Sequence, residues 1–315
     1  MQERNGAETL VETLLAGQVD VCFANPGTSE MQFVAALDKI PGMRCVLGLF
    51  EGVVTGAADG YARMADKPAS TLLHLAPGLG NGLANLHNAK RAQVPLVNIV
   101  GEHRQGHKET DSPLTGDIEG VARTMSAWVK TSTSADNIAV DAAEAIREAN
   151  TLPGRIATLI LPADTAWTKA KPHGKLDFAA PKPTLPSAAK FEVAAKALQS
   201  GEKVILVLSG RALRAAPLAL ANQIVQRTGA TMLAQYSNGR IERGAAALPS
   251  PARRRPWMRA WPPSRTPGTS SSSAPRCPRP CSAIRTSPTT SCGRAPTSSS
   301  WRPLPTTCMK PCANW

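Results

Sequence analysis

The stretch "CVLGLFEGVVTGAADGYARMA" (Cys45–Ala65) decides the fold. Its first half is an apolar run of strand length, and its second half sets small and apolar residues at helical spacing. A single carboxylate, Glu51, stands at the junction. A strand that passes directly into a helix is half of a βαβ unit, and the same alternation extends in both directions. Upstream, "AETLVETLL" (7–15) reads as a helix ended by Gly17, and "VDVCFA" (19–24) as a buried strand. "NPGTSE" (25–30) follows as a turn, with Thr28 or Ser29 placed to N-cap the helix "EMQFVAALDKI" (30–40). Downstream come the strand "ASTLLHL" (69–75), the loop "APGLGNG" (76–82), the helix "LANLHNAKRA" (83–92) and the strand "PLVNIVG" (95–101). After a longer loop, "AWVKTS" (127–132), the helix "AVDAAEAIREAN" (139–150) and the strand "RIATLILPAD" (155–164) complete the series.

Strands alternating with helices imply a doubly wound α/β domain, with a parallel sheet covered on both faces, over residues 1–167. Residues 168–189 are rich in Pro and Lys and read as a linker. A partial second α/β domain is expected over 190–248, from "FEVAAKALQSG", "KVILVLSG", "APLALANQIVQRTG" and "ATMLAQ".

The formal charge of +13 is concentrated at one end. Residues 251–315 hold 10 Arg and 1 Lys with no Asp or Glu, so the rest of the chain carries about +2, an ordinary balance that gives no reason to expect nucleic acid. No apolar run approaches the roughly 18 residues that span a bilayer. No charged n-region opens the chain, so a cytoplasmic protein is expected. Cys22 and Cys45 are expected to be inert core thiols, and the tail's Cys277/Cys281 and Cys308/Cys312 pairs lack a nearby His for zinc.

Ligands of open parallel sheets bind beyond the carboxyl ends of the strands, which selects residues 25–30, Glu51, 74–81 and 102–107. Glu51 has two readings. It is a helix N-terminal acid favoured by the macrodipole, or a buried carboxylate used to share a proton with a ring nitrogen. His74 is either a core histidine satisfied by backbone or an active-site group. The glycines of "PGLGNG" have the spacing of a backbone cradle, a weak signal by itself. Glu102, His103 and His107 could form a metal set but read better as charged residues at a solvated edge, and no metal ligand is assigned.

Taken in order, "FANPGTSE", "LGLFEGVVTGAADGYARMA" and "LLHLAPGLGNGLANLHNA" resemble the pyrimidine-binding domain of thiamine diphosphate enzymes, with the nearest look to acetolactate synthase large subunits and benzoylformate decarboxylase. The resemblance implies that Glu51 bonds the aminopyrimidine ring of thiamine diphosphate and that His74 relays protons near the reacting carbon. It places Pro26, Gly27, Gly78 and Asn81 in the cofactor pocket, Thr28 near the substrate carboxylate and Leu114 at the substrate entrance. The implied chemistry is decarboxylation or carboligation of a small 2-oxo acid by a homodimer or homotetramer, with benzoylformate-type decarboxylation as the alternative. A non-catalytic basic binding protein is the reading from another class. The family's diphosphate and magnesium are held by a Gly-Asp-Gly motif followed by Asn, which does not occur before Trp315, so the chain is expected to be incomplete and inactive alone.

The tail (249–315) is expected to be disordered and out of frame. When each codon is rebuilt from the last base of one residue and the first two of the next, Met258 is forced to Asp, Pro262 to Ala, Lys310 to Glu and Trp315 to Leu.

Overall fold

The structure is a computed structural model that describes residues 3–242 and the two strand residues Ala252–Arg253. The expected disorder of the tail therefore lies outside the described residues, the strand pair apart. Strand β1 (Arg4–Asn5) and helix α1 (Gly6–Ala16) open the chain. The alternation then runs β2 (Val21–Asn25), α2 (Met31–Lys39), β3 (Arg44–Leu47), α3 (Glu51–Ala65), β4 (Ala69–Leu73), α4 (Leu75–Ala92), β5 (Leu96–Glu102), α5 (Ile118–Arg123), β6 (Trp128–Thr131), α6 (Ile138–Asn150), β7 (Ile156–Pro162) and α7 (Ala163–Trp167). The six strands β2 to β7 form one parallel sheet in the order β3-β2-β4-β5-β7-β6. Every residue of β4, β5 and β7 is buried, as a parallel sheet covered on both faces requires.

The period of two along the strands divides the core. Cys22, Leu72, Val97, Ile99 and Leu159 pack with α1, α2 and α6 on one face. Val21, Leu73, Leu96, Val100 and Ile160 pack with α3, α4 and α5 on the other. The chain leaves β2 for α2 on the first face and leaves β4 for α4 on the second. These neighbouring strands make the switch point at which a parallel sheet opens a crevice. Cys22 is buried, and burial pushes its thiol up to about 12, in keeping with an inert core thiol. Cys45 departs from expectation. It is exposed, because β3 is the sheet's edge strand and only one residue of its four is even partly buried.

A polar chain crosses the middle of the sheet. Thr71 Oγ1 donates to Asn98 Oδ1 (2.9 Å), Asn98 Nδ2 donates to Thr158 Oγ1 (3.2 Å), and Ser126 Oγ lies 2.7 Å from the Thr158 hydroxyl. The three strand residues are register partners, so side-chain bonds repeat the ladder and fix the pairing of β4, β5 and β7.

Beyond α7, β8 (Lys169–Ala170) pairs antiparallel with β1, and Phe178 packs onto Gly17 and the first core, so the linker is pinned. Helix α8 (Ala188–Gln199), β9 (Ile205–Leu208), α9 (Ala215–Thr228), β10 (Thr231–Ala234) and β11 (Ala252–Arg253) follow, with the strands parallel in the order β11-β10-β9. This unit is held to the end of α3. Asp66, the left-handed C-cap of α3, takes Arg214 on one carboxylate oxygen (2.5 Å) and Arg240 on the other (2.7 Å), while Arg240 also donates to Met64 O.

Asn98→Ala leaves both buried threonine hydroxyls without their shared partner. It is expected to lower unfolding free energy by about 2–3 kcal/mol in urea titrations.

Candidate active site at the switch point

Two carboxylates converge on the first turns of α4. The first is Glu51, the opening residue of α3, with Phe50 extended before it as N-cap. Its side chain is buried at 8% exposure, and Asn81 Nδ2 donates to Oε2 at 3.0 Å. The other oxygen, Oε1, lies over Gly78, where a Cβ would come within 2.9 Å of it and within 3.4 Å of the His74 Cβ. Gly78 is thus the point at which Glu51 and His74 come together.

Expectation and structure part over "APGLGNG". These residues form the first two turns of α4 rather than a loop, and β4 ends at Leu73, leaving His74 as the helix N-cap. Pro77 is tolerated because a first-turn N–H has no intrahelical partner. The glycines serve helix packing. Gly82 faces Thr55 of α3, where a Cβ would stand 2.8 Å from Thr55 Cγ2, and Thr55 Oγ1 lies 3.1 Å from Gly82 O. Asn85 Nδ2 donates to Gly52 O at 2.7 Å, completing the seam between α3 and α4. Leu75, fully buried, takes a left-handed backbone (φ 51°) between His74 and the helix. That conformation costs a residue with a Cβ about 1–2 kcal/mol and is held by its packing.

The second carboxylate is Glu30, which sequence reasoning passed over. It is buried beneath His74, with Oε2 2.8 Å from His74 Nδ1 and accepting the Gly27 N–H at 2.7 Å. The capping role expected of Thr28 or Ser29 therefore falls to Glu30, three residues after Gly27. The signal was legible as an acid at capping-box spacing. Two glycines make its room. The His74 ring occupies the place of a Cβ on Gly27, and the Glu30 carboxylate occupies that of a Cβ on Gly101, at the end of β5. Burial raises the Glu30 carboxyl above the usual glutamate range, against the lowering effects of the Gly27 N–H and His74. Its Oε1 is buried with no hydrogen-bond partner among the described residues. With Nδ1 committed to Glu30, the half-buried His74 ring presents Nε2 as the nitrogen open to a ligand.

The remaining expected residues lie around this pair. Pro26 is half-buried beside Gly27, and Thr28 is exposed at the start of a 3-10 turn (Thr28–Glu30). Leu114 is half exposed with a left-handed backbone (φ 71°), on a loop that reaches α4 where Gly116 packs on Ala76. Asn25 Nδ2 donates to Gly48 O at 2.8 Å, tying the end of β2 to the turn before Glu51. Glu102 is corrected: it is buried at the end of β5, pairs with Lys108 at 2.7 Å and accepts the His103 N–H, so it is not at a solvated edge. His107 is exposed and His103 bonds Pro113 O, so the three do not converge.

A buried acid at one helix start and a histidine at the next thus flank the crevice at the switch point of the parallel sheet. Residues 4–122 match the family model for the thiamine pyrophosphate enzyme, N-terminal TPP binding domain. The chain is 53% identical over 243 residues to the acetolactate synthase large subunit-like protein IlvX of Mycobacterium tuberculosis, covering 76% of this chain and 46% of the relative. It is 30% identical over 190 residues to benzoylformate decarboxylase of Pseudomonas aeruginosa, covering 59% of this chain and 35% of the relative. The chain thus spans less than half the length of these relatives. A thiamine diphosphate-dependent 4-hydroxybenzoylformate decarboxylase from Rhodococcus jostii shares the fold, with a TM-score of 0.66 at 23% identity over 75% of this chain and 45% of that one. No helix among the described residues is long and apolar enough to cross a membrane.

A raised glutamate contributes stability that is complete below its ordinary value of 4.5 and is lost as pH rises through the folded value. Glu30→Gln, which cannot ionise, is therefore expected to gain thermal stability relative to wild type as pH rises from about 4 to neutral. A difference in Tm that stays flat over that range would rule out the buried, raised carboxyl.

Proposed function

We propose that the crevice between β2 and β4 holds the aminopyrimidine half of thiamine diphosphate, and that the protein serves decarboxylation or carboligation of a small 2-oxo acid, acetolactate synthase-like. The observation that carries this is Glu51, a buried carboxylate with one oxygen held by Asn81 and the other above a glycine, with no polar side chain bonded to it among the described residues. That donor set suits a planar ring nitrogen, because a carboxylate accepts one N–H in line and a glycine lets the ring approach the helix. When bound, the cofactor would supply the nucleophilic carbon and the electron sink that decarboxylation of a 2-oxo acid needs.

The chain's own residues do the rest. Glu51 orients the ring and shares a proton with its nitrogen, and Asn81 keeps the carboxylate from rotating away. Glu30, itself held by the Gly27 N–H, holds the His74 ring, so that Nε2 can give or take a proton beside the substrate. Thr28 and Leu114 are proposed to line the substrate side. The His74–Glu30 pair also favours a second reading, benzoylformate-type decarboxylation, in which a histidine relay protonates the product.

The crevice is open on the side of β3. Leu47, Leu49, Phe50 and Val53 are exposed apolar residues flanking Glu51, and their exposure supports a partner there. A second subunit of full family length, carrying the diphosphate- and magnesium-binding domain that this sequence does not contain, is the partner proposed.

Binding of thiamine to the chain, followed by saturation-transfer NMR, tests the half-site without the diphosphate. Glu51→Gln is expected to weaken it roughly tenfold to a hundredfold, the worth of one charge-assisted hydrogen bond. Equal affinity of the two proteins would sink the assignment. Gly78→Ala is expected to weaken binding while changing Tm by only a few degrees, since the added methyl displaces the end of the Glu51 side chain rather than backbone.

A further inference from the structure

The second α/β unit is open on one side. No residue of α8 is buried, and its apolar residues Phe191 (61%) and Val193 (69%) face solvent. In β9, Ile205 (58%) and Val207 (63%) are exposed as well. A strand in a parallel sheet is ordinarily covered on both faces, and an apolar surface of this extent marks a place where more protein packs. The unit has all the features of a doubly wound half whose other half is not among the described residues.

The sequence identifies what is missing. The relative 53% identical to this chain matches it over 243 residues, about as many as precede the point where acidic residues vanish. From there on the chain has the composition of a misread frame. Rebuilding each codon from the last base of one residue and the first two of the next gives outcomes that the genetic code forces. Trp257 becomes Val, Leu or Met, Met258 becomes Asp, and Pro262 becomes Ala. Where serine uses TCN codons, Ser270, Ser271, Ser272 and Ser273 become four residues drawn from Phe, Leu, Ile and Val, with Gly allowed at position 274 and Ala at 275. That is a buried strand followed by a tight turn. At the end, Cys308 and Cys312 become Met, Leu or Val, Lys310 becomes Glu, and Trp315 becomes Leu. Positions 308, 312 and 315 share one helical face, so the recovered segment is amphipathic. Acids, a strand and a helix return together in one register.

We infer that the open face of α8 and β9 is covered, in the intact gene product, by the segment that the neighbouring reading frame of codons 257–315 encodes. The occupant is apolar strand and amphipathic helix, the chemistry that Phe191, Val193, Ile205 and Val207 require. This inference stands on the second unit alone and does not depend on the thiamine reading of the first.

The nucleotide sequence tests it directly. The neighbouring frame is expected to run without a stop through codon 315 and to place four apolar codons at 270–273; a stop codon, or AGY serine codons that yield polar residues there, would overturn it. The folded protein tests it independently. The full chain as given and a full chain with the frame restored upstream of codon 257 are compared by hydrogen exchange, and amides of 191–199 and 205–208 are expected to gain about tenfold protection or more in the second. Equal protection in the two chains would also overturn it. So would sedimentation showing that the given chain buries this face by self-association, with dimers lost on Phe191→Asp, because the occupant would then be a second copy.

Discussion

The close approach of α3 and α4 governs the candidate site. With no side chain at Gly78 or Gly82, the two helices meet along a seam tied by Thr55, Asn81 and Asn85. Each helix starts at the carboxyl end of a strand, α3 after β3 and α4 after β4. Drawing the helices together therefore draws together the residues at their starts, Glu51 and His74. A methyl group at position 78 would displace the end of the Glu51 side chain rather than backbone, and so would alter the site more than the fold. The glycines whose spacing read as that of a backbone cradle instead set the spacing of Glu51 and His74.

The two buried acids are held differently, and the difference suits different work. Glu51 has one oxygen committed and one available, at a helix start that favours negative charge. Glu30 lies deeper, with one oxygen shared between a backbone N–H and a histidine and the other without a partner among the described residues. The cost of burying it is met locally, by the removal of two Cβ atoms at Gly27 and Gly101 and by the imidazole. Its strongest effect is on the ring above it, whose orientation it holds through Nδ1.

The second unit reaches this site through α3. Glu51 begins that helix and Asp66 ends it, and Asp66 is gripped by Arg214 and Arg240 from the second unit. The grip is a partly exposed ion-pair cluster, worth little per pair in water but directional because both carboxylate oxygens are used. It holds a unit whose outer face, among the described residues, exposes the apolar side chains of Phe191, Val193, Ile205 and Val207.

Periodicity alone determined the α/β class, the parallel sheet, most strands and helices of residues 1–164, and those of the second unit up to residue 235, because strand and helix repeats are local properties of the chain. It also marked Glu51, since a lone charge between two apolar runs is visible without knowing what surrounds it. Tertiary structure decided what Glu51 and His74 face, that "APGLGNG" is helix, that Cys45 lies at an edge, and that Glu102 is buried. Each of these depends on residues distant in sequence: Asn81 opposite Glu51, α3 against the glycines, a strand order that gives β3 a neighbour on one side only, and Lys108 folded back over β5. Glu30 is the clearest case. In sequence it is one acid at the start of an amphipathic helix; only the crossing of β2, β4 and β5 at the switch point puts a histidine above it and a glycine beside it, and so turns a surface-type residue into a buried partner.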